Sequence, residues 1–270
     1  MIKKYVKKVL SVVSNSIGVK ELYELMLHKE FRERQNLHCN PLNKSKFFGF
    51  SQSEEDGITL EILNRISVND GFFVEFGVGN GLENNTAILL AAGWKGAWYG
   101  GEKLAFSLED SSKLTFTKVW IKRSNIVELY NRTSKNADVV SLDLDGNDIY
   151  LVEELLSNGI KPKLFIVEYN GKFPPSIDFK INYSDDHVWT SDDYFGASLA
   201  SFNKLFVSHG YTLVCCNTSG ANAFFVENSF MESFKDVPKD INELYCEPFY
   251  FLRKRKMNPT SPKTLELLVK

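Results

Sequence analysis

Apolar residues along the chain alternate between two spacings. Ile58, Ile62 and Ile66 recur every four positions, which predicts a helix over Glu54–Ile66. Gly71 breaks it, and the apolar run Phe72–Phe76 opens into glycines, which predicts a strand. The alternation continues with a helix over Asn85–Ala92 ended by Gly93, and short strands at Ala97–Tyr99 and Lys118–Ile121. Val139–Leu144 is apolar on both faces and predicts a buried strand. Ile149–Leu156 reads as a helix ended by Asn158–Gly159, and Pro162 leads into a strand over Leu164–Tyr169. Ala197–His209 places Leu199, Phe202, Leu205 and Phe206 on one side of a helix that Gly210 stops. Tyr211–Cys216 and Ala223–Val226 are the last two strands. Their link, Asn217–Asn222, is too short for a helical crossover, so they must run antiparallel. Seven strands alternating with helices predict an α/β fold: a mostly parallel sheet with a reversed last strand and helices on both faces.

The ends differ from this centre. Ile2, Val6, Val9, Val13 and Ile17 form a helical stripe, with Lys3, Lys4, Lys7 and Lys8 largely off it. The apolar run Val9–Val13 is interrupted by Ser11 and too short for a signal peptide, and no run approaches a membrane span. Charge follows the same division. Residues 1–46 carry a net +6, residues 231–270 a net +2, and residues 47–230 a net −10, within an overall −2. The expected organisation is a basic helical extension over 1–46, an α/β domain over 47–230, and a helical or irregular extension over 231–270. An acidic centre excludes a nucleic-acid groove there, because phosphate neutralisation needs Lys and Arg. A basic amphipathic N-terminus admits peripheral contact with an anionic membrane through residues 1–20, or packing on the domain or in a homo-oligomer. Cys39, Cys215, Cys216 and Cys246 show no metal-ligand spacing and read as reduced thiols of a cytoplasmic protein.

The most informative stretch is Glu75-Phe76-Gly77-Val78-Gly79-Asn80-Gly81, between a strand and a helix. Glycines at alternate positions let backbone approach a ligand where a Cβ would collide. In an open α/β sheet, ligands bind at this carboxyl edge.

This motif resembles motif I of class I S-adenosylmethionine-dependent methyltransferases, whose Rossmann-like sheet also has seven strands and a reversed last one. More narrowly, Ser51-Gln-Ser-Glu-Glu-Asp56, Glu83-Asn-Asn-Thr86 and Gly93-Trp-Lys-Gly96 look like FkbM-type methyltransferases, often encoded with bacterial surface-polysaccharide or natural-product genes. The resemblance covers roughly residues 47–230. It implies S-adenosylmethionine as cofactor, with contacts from Gln52, Glu75, Gly77, Gly79, Gly81, Asn85, Thr86, Glu102 and Asn125, and a small-molecule or glycan acceptor. One position departs from the pattern: the acid that ends the second strand and binds ribose is expected at position 100, where Gly100 stands, followed by Gly101-Glu102. Either Glu102 substitutes, or ribose binding is weakened and the domain is a non-catalytic module that binds a glycan or a partner enzyme.

Asp143, Asp145 and Asp148 gather at the end of a buried strand, and Glu168 ends the next one. Clustered carboxylates raise one another's pKa and serve as general bases or hold a divalent cation. The resemblance makes Asp143 and Glu168 candidates both for catalysis and for a magnesium-like ion. Asp148 can simply cap the following helix. Two other readings fit in part. Asp143, Asp145, Asn147 and Glu154 match EF-hand positions, but Asp148 stands where that loop needs glycine. Asp143-Leu-Asp145-Gly146 also matches a haloacid-dehalogenase-like phosphatase motif, which leaves the glycine turn unexplained.

Gly171–Phe195 lacks periodicity and reads as a lid or binding loop, with Tyr183, Asp185, His187, Trp189 and Tyr194 suited to a sugar-like substrate. His187 is the candidate base, and nearby carboxylates are expected to raise its pKa.

Overall fold

Each central strand is a short string of large apolar residues flanked by turn formers, so neither of its faces can be left in water. In the computed structural model, which describes residues 17–45, 47–108, 111–133, 136–248 and 258–269, seven such strings form one sheet. They are β1 (Phe72–Phe76), β2 (Lys95–Gly100), β3 (Leu114–Lys118), β4 (Val139–Leu142), β5 (Leu164–Glu168), β6 (Tyr211–Cys216) and β7 (Asn222–Glu227). Their order is β3-β2-β1-β4-β5-β7-β6. Every pairing is parallel except those of β7, which runs against both β5 and β6. The architecture is the one expected from the spacing of apolar residues.

The chain divides into two compact units, residues 1–38 and 39–270. The first contains α1 (Ile17–Leu37), which exposes Val19, Leu22, Leu25 and Met26. The predicted stripe from Ile2 to Val13 lies outside the described residues. Among those described, no helix is long and apolar enough to cross a membrane.

In the second unit the helices are α2 (Glu55–Arg65), α3 (Ala87–Ala91), α4 (Ile126–Asn131), α5 (Asp148–Ser157), α6 (Leu199–Ser208), α7 (Ile241–Leu244) and α8 (Pro262–Leu268). α6 packs through Phe206, whose ring stacks on Phe225 at 4.0 Å and lies near Phe165 and Tyr211. The segment before α2 is tied to the sheet by Asn40 and Asn43, whose amides donate to the Val214 and Cys216 carbonyls. Cys215, Cys216 and Cys246 are buried free thiols and Cys39 is exposed.

One strand is displaced from its expected place. The apolar run Lys118–Ile121 is not a strand; β3 precedes it, and only Lys118 belongs to both. Leu114 and Phe116 alternate with Thr115 and Thr117, as an edge strand should, whereas Val119, Trp120 and Ile121 turn off the sheet to line a cavity.

Strand order reverses between β1 and β4. The loops leaving these two strands therefore depart to opposite sides and open a crevice at the carboxyl edge.

Candidate active site

The glycine turn is wedged into that crevice. Gly77, Gly79 and Gly81 all have positive φ, at 97°, 50° and 82°. A Cβ on Gly77 would overlap the Asp143 carbonyl oxygen and come within 2.6 Å of its carbonyl carbon. A Cβ on Gly79 would meet nothing within 4 Å, because that position faces open space. The Gly77 amide donates to the Tyr99 carbonyl at 2.8 Å, which locks the turn onto the end of β2.

Glu75 stands behind the turn. Its buried carboxylate accepts from the Asn85 amide at 3.0 Å, the Thr86 amide at 3.1 Å and the Thr86 hydroxyl at 2.5 Å. Trp98 in turn donates its indole N–H to Thr86 Oγ1. These are the amides of the N-cap residue of α3 and of the residue before it, so the carboxylate ties the end of the glycine loop to the start of that helix. Burial nevertheless raises its proton affinity, against the hydrogen bonds that lower it. Glu75, Asn85 and Thr86 thus brace the turn and are not in the cavity wall.

A cavity of about 360 Å³ opens beyond the turn. Gly77, Gly79, Gly101 and Glu102 line one side, and Val119, Trp120 and Ile121 the next. Asp143, Leu144, Asp145 and Asn147 form the floor, and His187, Val188 and Trp189 the roof. Glu102 therefore reaches the cavity from two residues beyond the end of β2. A Cβ at Gly100 would press on Val78, 3.1 Å from Cγ2 and 3.3 Å from the amide nitrogen. Asn125 acts from behind: its Oδ1 accepts from the Lys122 amide and its Nδ2 donates to the Trp120 carbonyl, which fixes the bend that presents Trp120. Gln52 is exposed in the turn before α2, outside the cavity wall.

Burial dominates the chemistry of the floor. It pushes the Asp143 carboxyl well above the usual range, reinforced by the charges of Asp145, Asp148, Glu75 and Glu55. Glu168 is raised in the same way, by burial and then by Asp143, Asp145 and Asp148. Asp148 is pushed up to about 6 by burial, although its two oxygens accept from the Leu144 and Gly146 amides. It is the first residue of α5 and closes the turn that carries Asp143 and Asp145, rather than capping the helix from outside. Asp143, Asp145 and Glu168 place a ligand atom each within 4.8 Å of one another. Glu154, required by the EF-hand reading, is instead held by Arg123 at 2.8 Å.

The roof is the loop over 171–195, and it is stitched down. Trp120 donates its indole N–H to the Asp185 carbonyl, Asn147 donates to the Ser184 carbonyl, and Tyr150 donates to the Ile181 carbonyl, each at 2.8 Å. Asp193 is buried at its far end, where it accepts from the Ser261 amide and the Thr264 hydroxyl and pairs with Lys172.

His187 departs from expectation. Its imidazole lies on Gly146, where no Cβ would fit, and its pKa is lowered rather than raised. Burial is the chief cause and outweighs the hydrogen bond to the Asp145 backbone and the nearby carboxylates. The ring's Nε2 is buried without a hydrogen-bond partner among the described residues.

Motif spacing found the glycine turn and the acids. It missed Trp120, hidden in a run that read as a strand, and the reciprocal Asn147–Ser184 bonds, which leave no trace in sequence.

No protein-family model matches the chain, and no curated protein matches it. Among solved structures, it is similar to MycE methyltransferase from the mycinamycin biosynthetic pathway, in complex with Mg, SAH and mycinamycin VI. That likeness has 12% identity and a TM-score of 0.43, and spans 82% of this chain and 62% of that one. It is also similar to CalO1, a methyltransferase in calicheamicin biosynthesis, at 14% identity and a TM-score of 0.36 over 81% of this chain and 60% of that one. A third is an O-methyltransferase family protein from Burkholderia thailandensis, at 12% identity and a TM-score of 0.36, over 74% of this chain and 70% of that one. All three are distant likenesses.

Proposed function

We propose that this chain transfers a methyl group from S-adenosylmethionine to an oxygen of a sugar or glycan precursor, as an FkbM-like enzyme of bacterial surface-polysaccharide or glycosylated natural-product synthesis. The observation that carries the reading is the glycine turn at the reversal of strand order, pressed against Asp143 on one side and open to the cavity at Gly79 on the other.

The residues present fit the cofactor. Gly79 leaves space where a side chain would project, Glu102 offers a carboxylate to ribose hydroxyls, and Trp120 and Ile121 offer apolar wall to a flat base. Bound there, the cofactor supplies a methyl group on a sulfonium. The protein's part is to align the acceptor hydroxyl and take its proton. His187 and Asp143, both in the cavity wall, are the two candidates for the base that takes that proton. Asp143 and Glu168, joined by Asp145, also have the all-oxygen chemistry that suits a divalent cation such as Mg, which would polarise an acceptor oxygen. The basic N-terminus fits a cytoplasmic enzyme peripheral to the inner membrane face, and deletion of residues 1–20 should then reduce sedimentation with anionic liposomes.

Calorimetric titration with S-adenosylhomocysteine tests the reading. Binding in the micromolar range is expected, and none at millimolar ligand overturns it. Gly100 favours a second reading, a non-catalytic module of the same fold that binds a glycan or partner enzyme; it predicts no turnover with any acceptor.

A further inference from the structure

A second cleft, of about 510 Å³, lies at the β3 edge of the sheet, apart from the 360 Å³ cavity. β3 is the outermost strand, so no further strand covers its far side. The loop after β2 folds back to form the opposite wall, and contacts along its length fix its shape. Ala105 donates its amide to the Asn80 carbonyl at 2.9 Å, and the Phe106 ring meets Trp98 edge-on, with 6.4 Å between centroids. A Cβ on Gly81 would come within 2.7 Å of Leu104 and 3.1 Å of Phe106, so the glycine turn packs directly on this wall. At the start of β3, Ser111 Oγ accepts from the Leu114 amide at 3.1 Å.

The lining divides by polarity. Leu104, Phe106, Leu108, Leu114 and Phe116 make an apolar trough, in which Phe106 is 40% exposed. Lys103 and Lys118 stand at its carboxyl end: Lys118 ends β3 in register with Gly100, and Lys103 comes three residues after Gly100. Neither lysine has an ion pair or hydrogen bond among the described residues, and no described acid lines the cleft. Glu109 and Asp110 lie outside those residues. Two unpaired cations are thus gathered at one end of an apolar trough, within a stretch, residues 47–230, of net charge −10. A ligand that satisfies both halves carries an anion at one end and an apolar chain beyond it. Its chain removes exposed apolar surface from water, and a phosphate accepts from both ammonium groups. A nucleotide would instead bring the polar edge of its base against leucine and phenylalanine.

We infer that this cleft binds an apolar chain that ends in a phosphate, such as a phosphorylated acyl or isoprenoid lipid. The phosphate sits on Lys103 and Lys118, and the chain runs along Leu104, Leu108 and Phe116. Glu102 and Val119, the chain neighbours of the two lysines, line the 360 Å³ cavity, so the head group lies at the seam between the two sites.

Octyl phosphate (below its micelle concentration), 1-octanol and inorganic phosphate are the matched probes, each titrated calorimetrically into the full chain. Octyl phosphate should bind at least about tenfold more tightly than octanol, the low end for one charge-assisted hydrogen bond. It should exceed inorganic phosphate by at least about the same factor, through burial of the chain. Lys103→Gln and Lys118→Gln should each narrow the gap to octanol, and the double variant should erase it with octanol binding unchanged. Both lysines are exposed, so neither substitution disturbs the core. Phe106→Ser, also at an exposed position, should weaken octyl phosphate and octanol alike. Octyl phosphate binding no tighter than octanol or than inorganic phosphate overturns the inference, and so does binding that survives the double lysine variant. No binding of any probe overturns it as well. Sedimentation with phosphatidylglycerol vesicles that the double variant abolishes, in the absence of octyl phosphate binding, assigns the lysines to a flat membrane contact instead. S-adenosylhomocysteine is absent from every arm, so the methyl-transfer reading stands or falls by its own titration.

Discussion

Gly77 and Asp143 touch through backbone: there is no room for a Cβ between the glycine turn and the carbonyl of the first acid in the cluster. The glycine turn and the acidic floor are one packed unit, and a change on one side moves the other.

Gly77→Ala should therefore be severe, since overlap adds to the strain of a positive φ, for a loss of about 3 kcal/mol or more. Gly79→Ala has only the positive φ to bear, about 1 kcal/mol, because its Cβ meets open space. Urea denaturation should separate the two variants clearly. Gly79→Ala should stay folded yet lose affinity for S-adenosylhomocysteine, because its methyl enters the cavity; unchanged affinity would remove Gly79 from the cofactor site.

Glu75→Gln tests the brace behind the turn. The substitution exchanges an acceptor for an amide donor facing the Asn85 and Thr86 amides. A cost of about 2–4 kcal/mol is expected for donors left unpaired in the interior. Thermal unfolding should show a clear drop in Tm, and a wild-type Tm would mean the helix start is held by something else.

Glu102 and Gly100 give opposite expectations. Glu102→Gln should weaken S-adenosylhomocysteine about tenfold, if a charge-assisted ribose contact is lost. Gly100→Glu should not tighten it, because the new Cβ presses on Val78 and distorts the turn. Calorimetry on the two variants decides which position carries the ribose contact.

The buried Asp193–Lys172 pair sets a pH dependence. Burial raises the Asp193 pKa, but Lys172, the Ser261 amide and the Thr264 hydroxyl overcome it and hold it below the usual value. A carboxyl depressed in the folded state contributes stability fully above its unfolded pKa of about 3.9 and loses it as pH falls through the folded value. Asp193→Asn should cost about 3 kcal/mol at pH 7, the scale of a broken buried pair. The gap to wild type should close only below about pH 4. A gap independent of pH would show that geometry rather than charge is responsible.

Much of the fold was legible because burial on both faces leaves a mark in the sequence. Val139–Leu144 and Leu164–Tyr169 read as strands, which the structure ends at Leu142 and Glu168, and the short Asn217–Asn222 link forced the reversed strand. β3 was placed too late because an apolar triplet that lines a cavity looks like one that fills a sheet. α4 left too little apolar periodicity in six residues to be seen.

By itself, the sequence determined the alternating architecture, the glycine turn and the acids that end adjacent strands, because spacing fixes which residues fall at strand ends. Only the tertiary structure decided their roles. It turned Glu75 inward onto the residues just before a helix, brought Trp120 and Glu102 into one wall, and laid the His187 ring against Gly146. These outcomes depend on burial and on contacts between segments far apart in the chain, and neither is encoded in local spacing.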